Sequence, residues 1–521
     1  MKGEYMPSTT IHNKADGKKY LYSVVSYWDK EKKQARNRQV CLGRIDETTG
    51  EVIPSARTER VAKRAAVAPE VTANATVVGP AMLLDAAVAE TNLGNILARS
   101  IPEYHSEILS LAYFLVQRGL PLSRCESWST HSKHPFGKPF SSQRISEILQ
   151  GITEGQRQSF FKSWMKSLAE KECLFYDITS ISSYSASNEY VRFGHNRDNE
   201  NLPQINLALL FGQESGLPAY YRRIPGSISD VATLKTTVSS LDFLGQTRLM
   251  FVMDRGFYSK ANVDALLDAR YHFILAVPRR KWIEEIYDRE RDDIMTYPNR
   301  CTMSNGEVLY AKGLLHKWGD RRCYVYIYYN HIHAAEDVYE FEAKLTAWRQ
   351  ELLSGDRVKE NEWAYAKFFT VKETPKRGRK VVEIAEAVDS ARKKYVGFSC
   401  LLSTKKMNPA DALEEYRRKE AVENSYDDLK NALDMRRLRI HSSAAMDSRL
   451  FIQFIALILF SWARSKAKVH KATKYMTVRE IMEAMESVTL IEYSGRYGNL
   501  ITESGPLQRD IMEAYGLNAK S

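Results

Sequence analysis

The sequence contains few cysteines, and none of them are spaced as a site requires. No two form a CxxC pair, so neither a zinc site nor a redox disulfide is indicated. The six cysteines stand at positions 41, 125, 173, 301, 323 and 400. Such a low density is typical of a reducing compartment. The opening residues, MKGEYMPSTTIHNK, also lack the apolar stretch of a secretion signal, so we expect a cytoplasmic protein.

Long apolar runs are equally scarce. The longest, LFIQFIALILFSWA at 450–463, is too short to span a bilayer comfortably and is flanked by Arg449 and Arg464. A buried core helix explains this run better than a membrane anchor does. We therefore expect no membrane partner.

The composition is that of a folded protein with an excess of basic charge. Hydrophobic residues make up 44% and charged residues 27% of the chain. Lysine and arginine exceed aspartate and glutamate by 75 − 64 = 11, and the isoelectric point is about 9.1. This excess suits a polyanion such as nucleic acid, although a merely basic soluble protein has the same balance. The length of 521 residues predicts three or four domains.

The first third of the chain changes from a strand pattern to a helix pattern. KYLYSVVSYW and QVCLGRID are β-like segments separated by polar turns, which predicts a small β-meander. From about residue 78, apolar residues recur at three- and four-residue spacing, and SSQRISEILQGI opens with serines able to cap a helix. We interpret this helical region as a DNA-binding domain. A helical packing domain would show the same pattern.

The middle of the chain follows an order of elements typical of one fold. Three strand-like segments begin at ECLFYDITSIS, and helix, strand, helix and strand come next. This order predicts a mixed sheet flanked by helices, as in the ribonuclease H-like fold up to its fifth strand. The final helix is delayed by a mostly β insertion. It is predicted to start at Asn408-Pro409, where proline suits the first helical turn, and to run to 435.

These patterns together predict an α+β multidomain protein. The predicted parts are an N-terminal β module (1–56), the helical region (57–170), the first part of the core (171–280), the insertion (281–394), the second part of the core (395–470) and a C-terminal helical region (471–521).

Two carboxylates end or interrupt apolar strands of the predicted sheet. Asp177 lies in FYDITS and Asp254 lies in FVMDRG, each at or near the C-terminal end of its strand. The first and fourth strands of the proposed sheet are neighbours, so both side chains are expected to converge. Carboxylates that close need a compensating cation, and Mg²⁺ prefers oxygen ligands. Two such ions can clamp the attacking and leaving oxygens of a phosphodiester. Each aspartate alone is more typical of a strand-end residue that caps a turn, whereas two in adjacent strands of one sheet favour a shared site.

A third acid is expected from the helix after Pro409. Tyr416, Lys419, Glu423 and Lys430 are spaced by three, four and seven residues, which places them on one helical face. That face offers an acid for a metal, cations for phosphates and an aromatic hydroxyl. A solvated face with i,i+4 ion pairs is the alternative.

The spacing on this helix resembles a known signature. Tyr-x2-Lys-x3-Glu-x6-Lys is similar to the Tyr-x2-Arg-x3-Glu-x6-Lys signature of bacterial insertion-sequence transposases of the DDE class, with Lys419 in place of the usual Arg. The resemblance covers roughly residues 170–465. It extends over YDITS, FGHNRDNENLPQINLAL, MDRGFYS and YRRKEAVENSYDDLKNALDMRRLRIHSS in that order, and a β-rich insertion is expected for this group.

The resemblance implies a set of site residues. It implies Asp177, Asp254 and Glu423 as the catalytic, metal-binding triad with two Mg²⁺ ions, for which Mn²⁺ can substitute. It implies DNA contacts near the cleaved bond for Tyr416, Lys419 and Lys430. Arg418 could substitute for Lys419, since lysine lacks the bidentate fork of arginine. Arg255, after the second aspartate, could reach a phosphate or pair with the acids.

The predicted insertion contains four tryptophans. Related transposases stack an insertion tryptophan on a displaced base, but Trp282, Trp318, Trp348 and Trp363 are each more typical of core packing, and none is assigned that role.

The resemblance implies a cut-and-paste DNA transposase. Its partners would be double-stranded DNA, at the terminal inverted repeats of its own element and at the target, and a second copy of the chain on that DNA. It would act in the bacterial cytoplasm at the nucleoid. Three alternatives stay open: a metal-dependent nuclease without strand transfer, a catalytically inactive DNA-binding relative, and a phosphatase with Asp177 as nucleophile. The last usually requires an acid two positions on, where Thr179 stands.

Overall fold

The computed structural model describes the chain in several segments. The described residues are 8–29, 34–54, 73–168, 173–185, 188–194, 200–228, 234, 237, 249–374, 379–385, 388, 390, 393–419, 428–435, 437–438, 440, 442–494 and 498–517. They divide into two compact units. One unit holds the described residues up to Asn74 together with those of 491–500, and the other holds the rest.

The N-terminal unit is an antiparallel meander, as predicted. Its strands are β1 (Ser8–Asn13), β2 (Lys19–Asp29), β3 (Gln34–Ile45) and β4 (Val52–Pro54), and they pair in that order. Few side chains of these strands are buried; Val24 is the buried apolar residue among them in the part of the chain described. The strand β5 (Ala73–Val77) follows where the chain passes to the second unit.

The second unit begins with a helical region, which confirms the helix pattern of the sequence. The helices are α1 (Gly79–Glu90), α2 (Leu93–Ser100), α3 (His105–Arg118), α4 (Cys125–His131), α5 (Ser142–Gly151) and α6 (Glu154–Leu168). The serine cap is confirmed at α5, where the Ser141 side chain accepts from the backbone N–H of Arg144 at 3.1 Å. Their apolar faces join the main hydrophobic core.

A large mixed sheet forms the centre of this unit. Its first five strands along the chain are β6 (Cys173–Ser183), β7 (Gln204–Gly212), β8 (Pro218–Pro225), β9 (Met250–Met253) and β10 (His272–Ala276). The helix α7 (Lys260–Asp268) connects β9 to β10, while most of the helix predicted before β9 lies outside the described residues. In space these strands run β8-β7-β6-β9-β10, with β6, β9 and β10 mutually parallel. The predicted adjacency of the first and fourth strands is confirmed.

The region predicted as a mostly β insertion is mixed. It contains the helices α8 (Lys281–Ile294), α9 (His331–Ser354) and α10 (Glu362–Phe368). Its strands are β11 (Arg300–Thr302), β12 (Val308–Trp318), β13 (Arg321–Tyr329), β14 (Phe369–Thr374) and β15 (Arg379–Ile384). The prediction of a mostly β insertion is wrong for the segment before β14, because α10 is helical and buries Ala364, Tyr365 and Phe368 in a small core with α9.

Three strands of this region extend the central sheet. After β15 the chain forms β16 (Phe398–Ser403), which pairs with β10 on one side and with β13 on the other. The sheet therefore continues β10-β16-β13-β12-β11. Part of the predicted insertion is thus built into the same sheet as the two aspartates.

The helix that follows β16 starts as predicted and ends earlier. In α11 (Pro409–Arg417) the Asn408 side chain accepts from the backbone N–H of Ala410 at 2.9 Å, with proline in the first turn. The described residues after α11 do not form a regular helix to 435. Asp428–Ala432 is instead a wider π-helical turn, in which the N–H of Leu433 donates to the carbonyl of Asp428. An extra residue in such a turn shifts the side chains that follow it relative to an ideal helical face.

The apolar run at 450–463 is a buried core helix, as predicted. After β17 (Arg437–Leu438), which pairs with β6, the chain forms α12 (Ser443–Val469). By length and composition α12 could cross a membrane, but 78% of its most apolar window is buried inside the protein. The chain ends with α13 (Val478–Met485), β18 (Thr489–Tyr493), β19 (Asn499–Ile501) and α14 (Pro506–Ala514), so the predicted helical C-terminal region also contains strands.

Candidate active site

The two aspartates stand side by side on neighbouring parallel strands. Tyr176 of β6 and Met253 of β9 are the last pair in register, and Asp177 and Asp254 are the next residue on each strand. Parallel neighbours lie roughly 5 Å apart, and paired residues point to the same face of a sheet. The convergence predicted from the sequence is therefore confirmed at the level of the backbone.

The positions of the two aspartates along their strands differ. Asp254 immediately follows β9 and starts a short 3₁₀ turn, Arg255–Phe257, as expected for a strand end. The same expectation was wrong for Asp177, which lies within β6. That strand continues to Ser183 because its far half pairs with β7 and then with β17. Only the parallel pairing with β9 stops at the aspartates, which opens the sheet at this point.

Asp254 is the centre of a network of polar contacts. Its Oδ1 accepts from the backbone N–H of Arg255 at 2.7 Å and from the hydroxyl of Tyr416 at 2.9 Å. The Nζ of Lys419 lies 3.7 Å from Oδ2. Lys419 is buried, whereas the Asp254 side chain is 43% exposed. The structure thus brings together four of the residues that the sequence proposed for this site, Asp254, Arg255, Tyr416 and Lys419.

These contacts determine the charge of Asp254. Burial alone favours the neutral acid, but the Lys419 ammonium, the N–H of Arg255 and the Tyr416 hydroxyl together hold the pKa of Asp254 below its ordinary value. The carboxyl group is therefore ionised at neutral pH. An ionised and partly exposed carboxylate is able to bind a cation that reaches it from solvent.

Asp177 is the more buried of the pair, with 8% of its surface exposed. Its cross-strand neighbour on β7 is Leu209, and the flanking Tyr176 and Ile178 are buried in the apolar core. A carboxylate at such a position is costly unless a cation or a set of donors stabilises it. Two adjacent carboxylates, one buried and one accessible, form a donor set that fits a hard divalent cation.

The third predicted ligand, Glu423, lies outside the described residues, as do 420–427 as a whole. Within the described part of the chain, no three His, Cys, Asp or Glu side chains are grouped so as to hold a metal ion. The triad of Asp177, Asp254 and Glu423 consequently stays a prediction, of which the structure places two members together.

The remaining basic residues differ in how near they come to Asp254. Arg255 is exposed at the start of the 3₁₀ turn beside it. Arg418 ends α11, and its guanidinium donates to Glu415 at 3.1 Å. Lys430 lies half-buried in the π-helical turn. Among the predicted DNA contacts, Arg255, Tyr416 and Lys419 are therefore placed directly at Asp254.

A cleft of about 690 Å³ opens beside Asp254 and Tyr416. Its lining carries basic, acidic and aromatic side chains, namely Arg255, Arg279, Lys344 and Lys393, Asp254, Asp337 and Glu340, and Tyr287, Tyr395 and Phe398. Two residues of this lining, Arg279 and Tyr395, were not among the predicted site residues. Their side chains stack, with 5.7 Å between the guanidinium and the ring centre. The signal for Arg279 was the Arg-Arg pair soon after β10, comparable to Arg255 after β9.

The four tryptophans of the insertion have different environments. Trp282 donates to the hydroxyl of Tyr258 at 2.9 Å, and Trp318 donates to Asp264 at 2.7 Å. Trp348 packs against the small core of α9 and α10. Trp363 is 55% exposed. Trp363 nevertheless lies edge-on to the rings of Trp348 and Phe368, so all four tryptophans are engaged in packing or structural hydrogen bonds.

One comparison with known proteins identifies the family of the chain. The family model described as "Transposase DDE domain" matches residues 168–459, more than half of the chain. A search of curated proteins gave no match.

One similar solved structure is a cryo-EM structure of a piggyBac transposase synaptic complex with hairpin DNA. It has a TM-score of 0.37 and 10% identity, covering 78% of this chain and 77% of that one. A similarity at this level carries no argument about fold or function. The family match spans β6, β9 and α11, which are the elements that bring Asp177, Asp254, Tyr416 and Lys419 to one place, and the chain belongs to the transposases with a DDE domain.

Proposed function

We propose that this transposase cuts double-stranded DNA at the ends of its own mobile element and joins the freed ends to a target. The observation that carries the proposal is the juxtaposition of Asp177 and Asp254 one residue beyond the last parallel pair of β6 and β9. The same site contains Tyr416 and Lys419, in contact with Asp254. A carboxylate pair with an adjacent cation and a cleft beside it suits phosphodiester chemistry.

We further propose that the catalytic sheet is ribonuclease H-like. The strand order β8-β7-β6-β9-β10, with β7 antiparallel to both of its neighbours, supports this assignment. The acids then lie on the first and fourth strands of the fold, and Glu423, in the segment after α11, would supply the third.

Two Mg²⁺ ions would be held by Asp177, Asp254 and Glu423, and when bound they would activate the attacking oxygen and stabilise the charge of the leaving oxygen. The protein's own groups orient the site. The Tyr416 hydroxyl and the N–H of Arg255 both donate to Oδ1 of Asp254. They leave Oδ2 on the side of Lys419. This arrangement fixes the rotation of the carboxylate before a substrate arrives.

The basic side chains around the acids would position the DNA backbone. The proposed phosphate contacts are Arg255, Arg418, Lys419 and Lys430. The basic side chains of Arg279 and Lys344 on the cleft wall would extend this surface. Contacts of this kind make DNA binding strongly dependent on salt. The proposed substrates are the terminal inverted repeats and the target DNA, bound by a dimer, because two ends must be joined together. The helical region α1–α6 is proposed to contribute to DNA binding, and the reaction to take place in the bacterial cytoplasm.

An assay that follows joined products tests this function. A linear DNA carrying the element's ends, incubated with the protein, a target plasmid and Mg²⁺, is expected to yield both cut ends and covalent end-to-target joints. Cutting without joints would identify a metal-dependent nuclease. Binding of the ends without cutting would identify an inactive DNA-binding relative, and either result would overturn the proposal.

A further inference from the structure

The helix α11 carries Tyr416, and Lys419 follows directly after it, yet little of α11 itself is buried. Only Ala412 and Leu413 of its nine residues are buried. A helix of this length is marginal on its own, and so small an apolar contact gives it little positional restraint. Whatever fixes α11 therefore determines how Tyr416 and Lys419 meet Asp254.

Two tyrosines of β13 hold the beginning of α11. Tyr326 and Tyr328 alternate along the strand and so point to the same face of the sheet. The Tyr328 hydroxyl donates to the carbonyl of Pro409 at 2.8 Å. The Tyr326 hydroxyl donates to the carbonyl of Lys405 at 2.8 Å and accepts from the N–H of Met407 at 2.6 Å. Both rings are buried, and burial raises the pKa of each, so both hydroxyls stay protonated as donors.

A glycine on the next strand makes room for this contact. Gly313 of β12 is directly opposite Tyr326. A Cβ atom at Gly313 would lie 3.2 Å from the Tyr326 ring and 3.4 Å from Cγ of Pro409. A side chain at position 313 would therefore press on the Tyr326 ring and displace it by a few tenths of an ångström.

The turn between β11 and β12 holds the rest of the helix. The N–H of Ser304 donates to Oε1 of Glu414 at 2.8 Å. Glu307 pairs with the guanidinium of Arg417, and this bond lowers the pKa of the Glu307 carboxyl. Glu414 and Arg417 are three residues apart and lie on either side of Tyr416. The β11–β12 turn therefore contacts the last turn of α11, which carries Tyr416.

We propose that β12, β13 and the turn at 303–307 form a clamp that positions α11, and through it Tyr416 and Lys419, against Asp254. The inference rests on the proposed function for the site itself. Its new content is that Tyr326, Tyr328 and Glu307 are positioning residues, although none of them contacts Asp254 or the proposed substrate. The distance from Pro409 to Tyr416 is seven residues, or about 10 Å of helix, so a shift at one end of α11 is carried to the other.

Removal of single clamp contacts tests the proposal. Tyr328→Phe and Glu307→Ala delete contacts at opposite ends of α11. Each is expected to lower the single-turnover rate of DNA-end cleavage roughly tenfold at saturating DNA and Mg²⁺, because small misplacements of catalytic groups have effects of this order. The dissociation constant for DNA should change less than about threefold, since the proposed role of the clamp residues is to position α11 and not to bind DNA.

Tyr515→Phe is the matched control. Tyr515 is also buried, and its hydroxyl donates to the backbone carbonyl of Ala463 at 2.8 Å, on α12 and away from α11. A purely structural role for Tyr328 predicts that both Phe variants lower the melting temperature alike and leave the rate of the folded enzyme unchanged. Equal rates for the two variants would overturn the clamp.

A double-mutant cycle identifies the route of the effect. In a Tyr416→Phe background, Tyr328→Phe is expected to lose part of its effect on rate, because one of the two contacts through which it acts is already gone. Full additivity would overturn the proposal. Asp254→Asn separates this failure from a failure of the function. If Asp254→Asn abolishes cleavage while Tyr328→Phe and Glu307→Ala cleave like the unmodified protein, the site stands and the clamp is wrong.

Discussion

The helices α11 and α12 belong to the same unit and are held in place by different forces. In α12 the residues from Leu450 to Ala463 are all buried, so its stability comes from apolar burial, which has no preferred direction. In α11 nearly every restraint is a hydrogen bond or ion pair with a defined partner, from the Tyr328 hydroxyl to Asp254. Burial supplies the stability of the unit, and directional contacts supply the accuracy of the site.

Polar residues within α12 follow the same division. Arg449 is buried and pairs with Asp434 at 3.0 Å, and Gln453 donates to the carbonyls of Leu433 and Asp434. These contacts fix the stretch just after the π-helical turn, between Lys430 and β17. Even in α12, therefore, the polar side chains make directional contacts, and their partners lie in the segment that follows Lys430.

The largest expected effect is on the acids. Asp177→Asn, Asp254→Asn and Glu423→Gln, made separately, should each lower DNA-end cleavage at least about 1000-fold, because loss of metal-assisted charge stabilisation is worth several kcal/mol. Single-turnover cleavage with Mg²⁺ measures this. Asp268→Asn, at an exposed ion pair with Arg321, is the matched control and should cleave normally. Cleavage near the unmodified rate by any of the three acid variants would refute the triad.

Truncation in α12 should affect stability and not chemistry. Phe451 is fully buried and lies edge-on against Phe160, with ring centres 5.1 Å apart. Phe451→Ala is expected to lower the free energy of unfolding by about 3–5 kcal/mol, measured by urea denaturation. The cleavage rate per folded molecule should be unchanged. The exposed Phe193 gives the control, Phe193→Ala, which should leave stability within about 0.5 kcal/mol.

Lys419 should matter for rate more than for stability. Lys419→Met keeps the buried stem and removes the ammonium near Asp254, so we expect a cleavage rate roughly 10- to 100-fold lower. Lys419→Arg restores the residue usual in the signature and keeps the charge, and it should stay within about threefold of the unmodified rate. A similar loss in both variants would mean that packing, and not charge, is the role of Lys419.

The same pair defines a pH dependence. Because the folded-state pKa of Asp254 is depressed, its contribution to stability is present above the ordinary carboxyl pKa, about pH 4, and is lost as the pH falls through the folded-state value. At pH 7 the free energy of unfolding of Lys419→Met should therefore be lower than that of the unmodified protein, by less than about 1 kcal/mol because the carboxylate is so exposed. The difference should vanish in acid. A difference that grows in acid would contradict the pairing.

Asp177 should show a small effect of the opposite sign, a gain of stability on substitution. Asp177→Asn removes a buried charge next in register to a second carboxylate, so in chelator it should stabilise the fold by roughly 1 kcal/mol while abolishing cleavage. Thermal melts of the variant and the unmodified protein in EDTA measure this. A clear loss of stability would count against the electrostatic account of Asp177.

The sequence predicted the parts of the site that follow from local pattern. The apolar strands around Asp177 and Asp254 and the proline start of α11 are visible as runs and caps, and the order of elements made β6 and β9 neighbours. The end of α11 at Arg417 was not visible, because the residues after it read as good helix formers and tertiary contacts decide where the helix stops. The place of β12 and β13 in the central sheet was missed for a similar reason, since strand pairing between distant segments leaves no local signal.

The alternating tyrosines of β13 are a sequence signal for the clamp. CYVYIYY places Tyr324, Tyr326 and Tyr328 on one face of a strand, and buried tyrosines usually direct their hydroxyls to a partner. What the pattern cannot give is the partner's identity, because Pro409 is 81 residues away from Tyr328.

The location of bound metal tests the central claim most directly. Crystals grown with Mn²⁺ and a DNA end, measured at the manganese absorption edge, should show an anomalous peak within about 2.5 Å of carboxylate oxygens of both Asp177 and Asp254. The account predicts that Glu423 completes this site or its neighbour. A peak bound elsewhere, with Asp177 and Asp254 contacting only protein groups, would contradict the account.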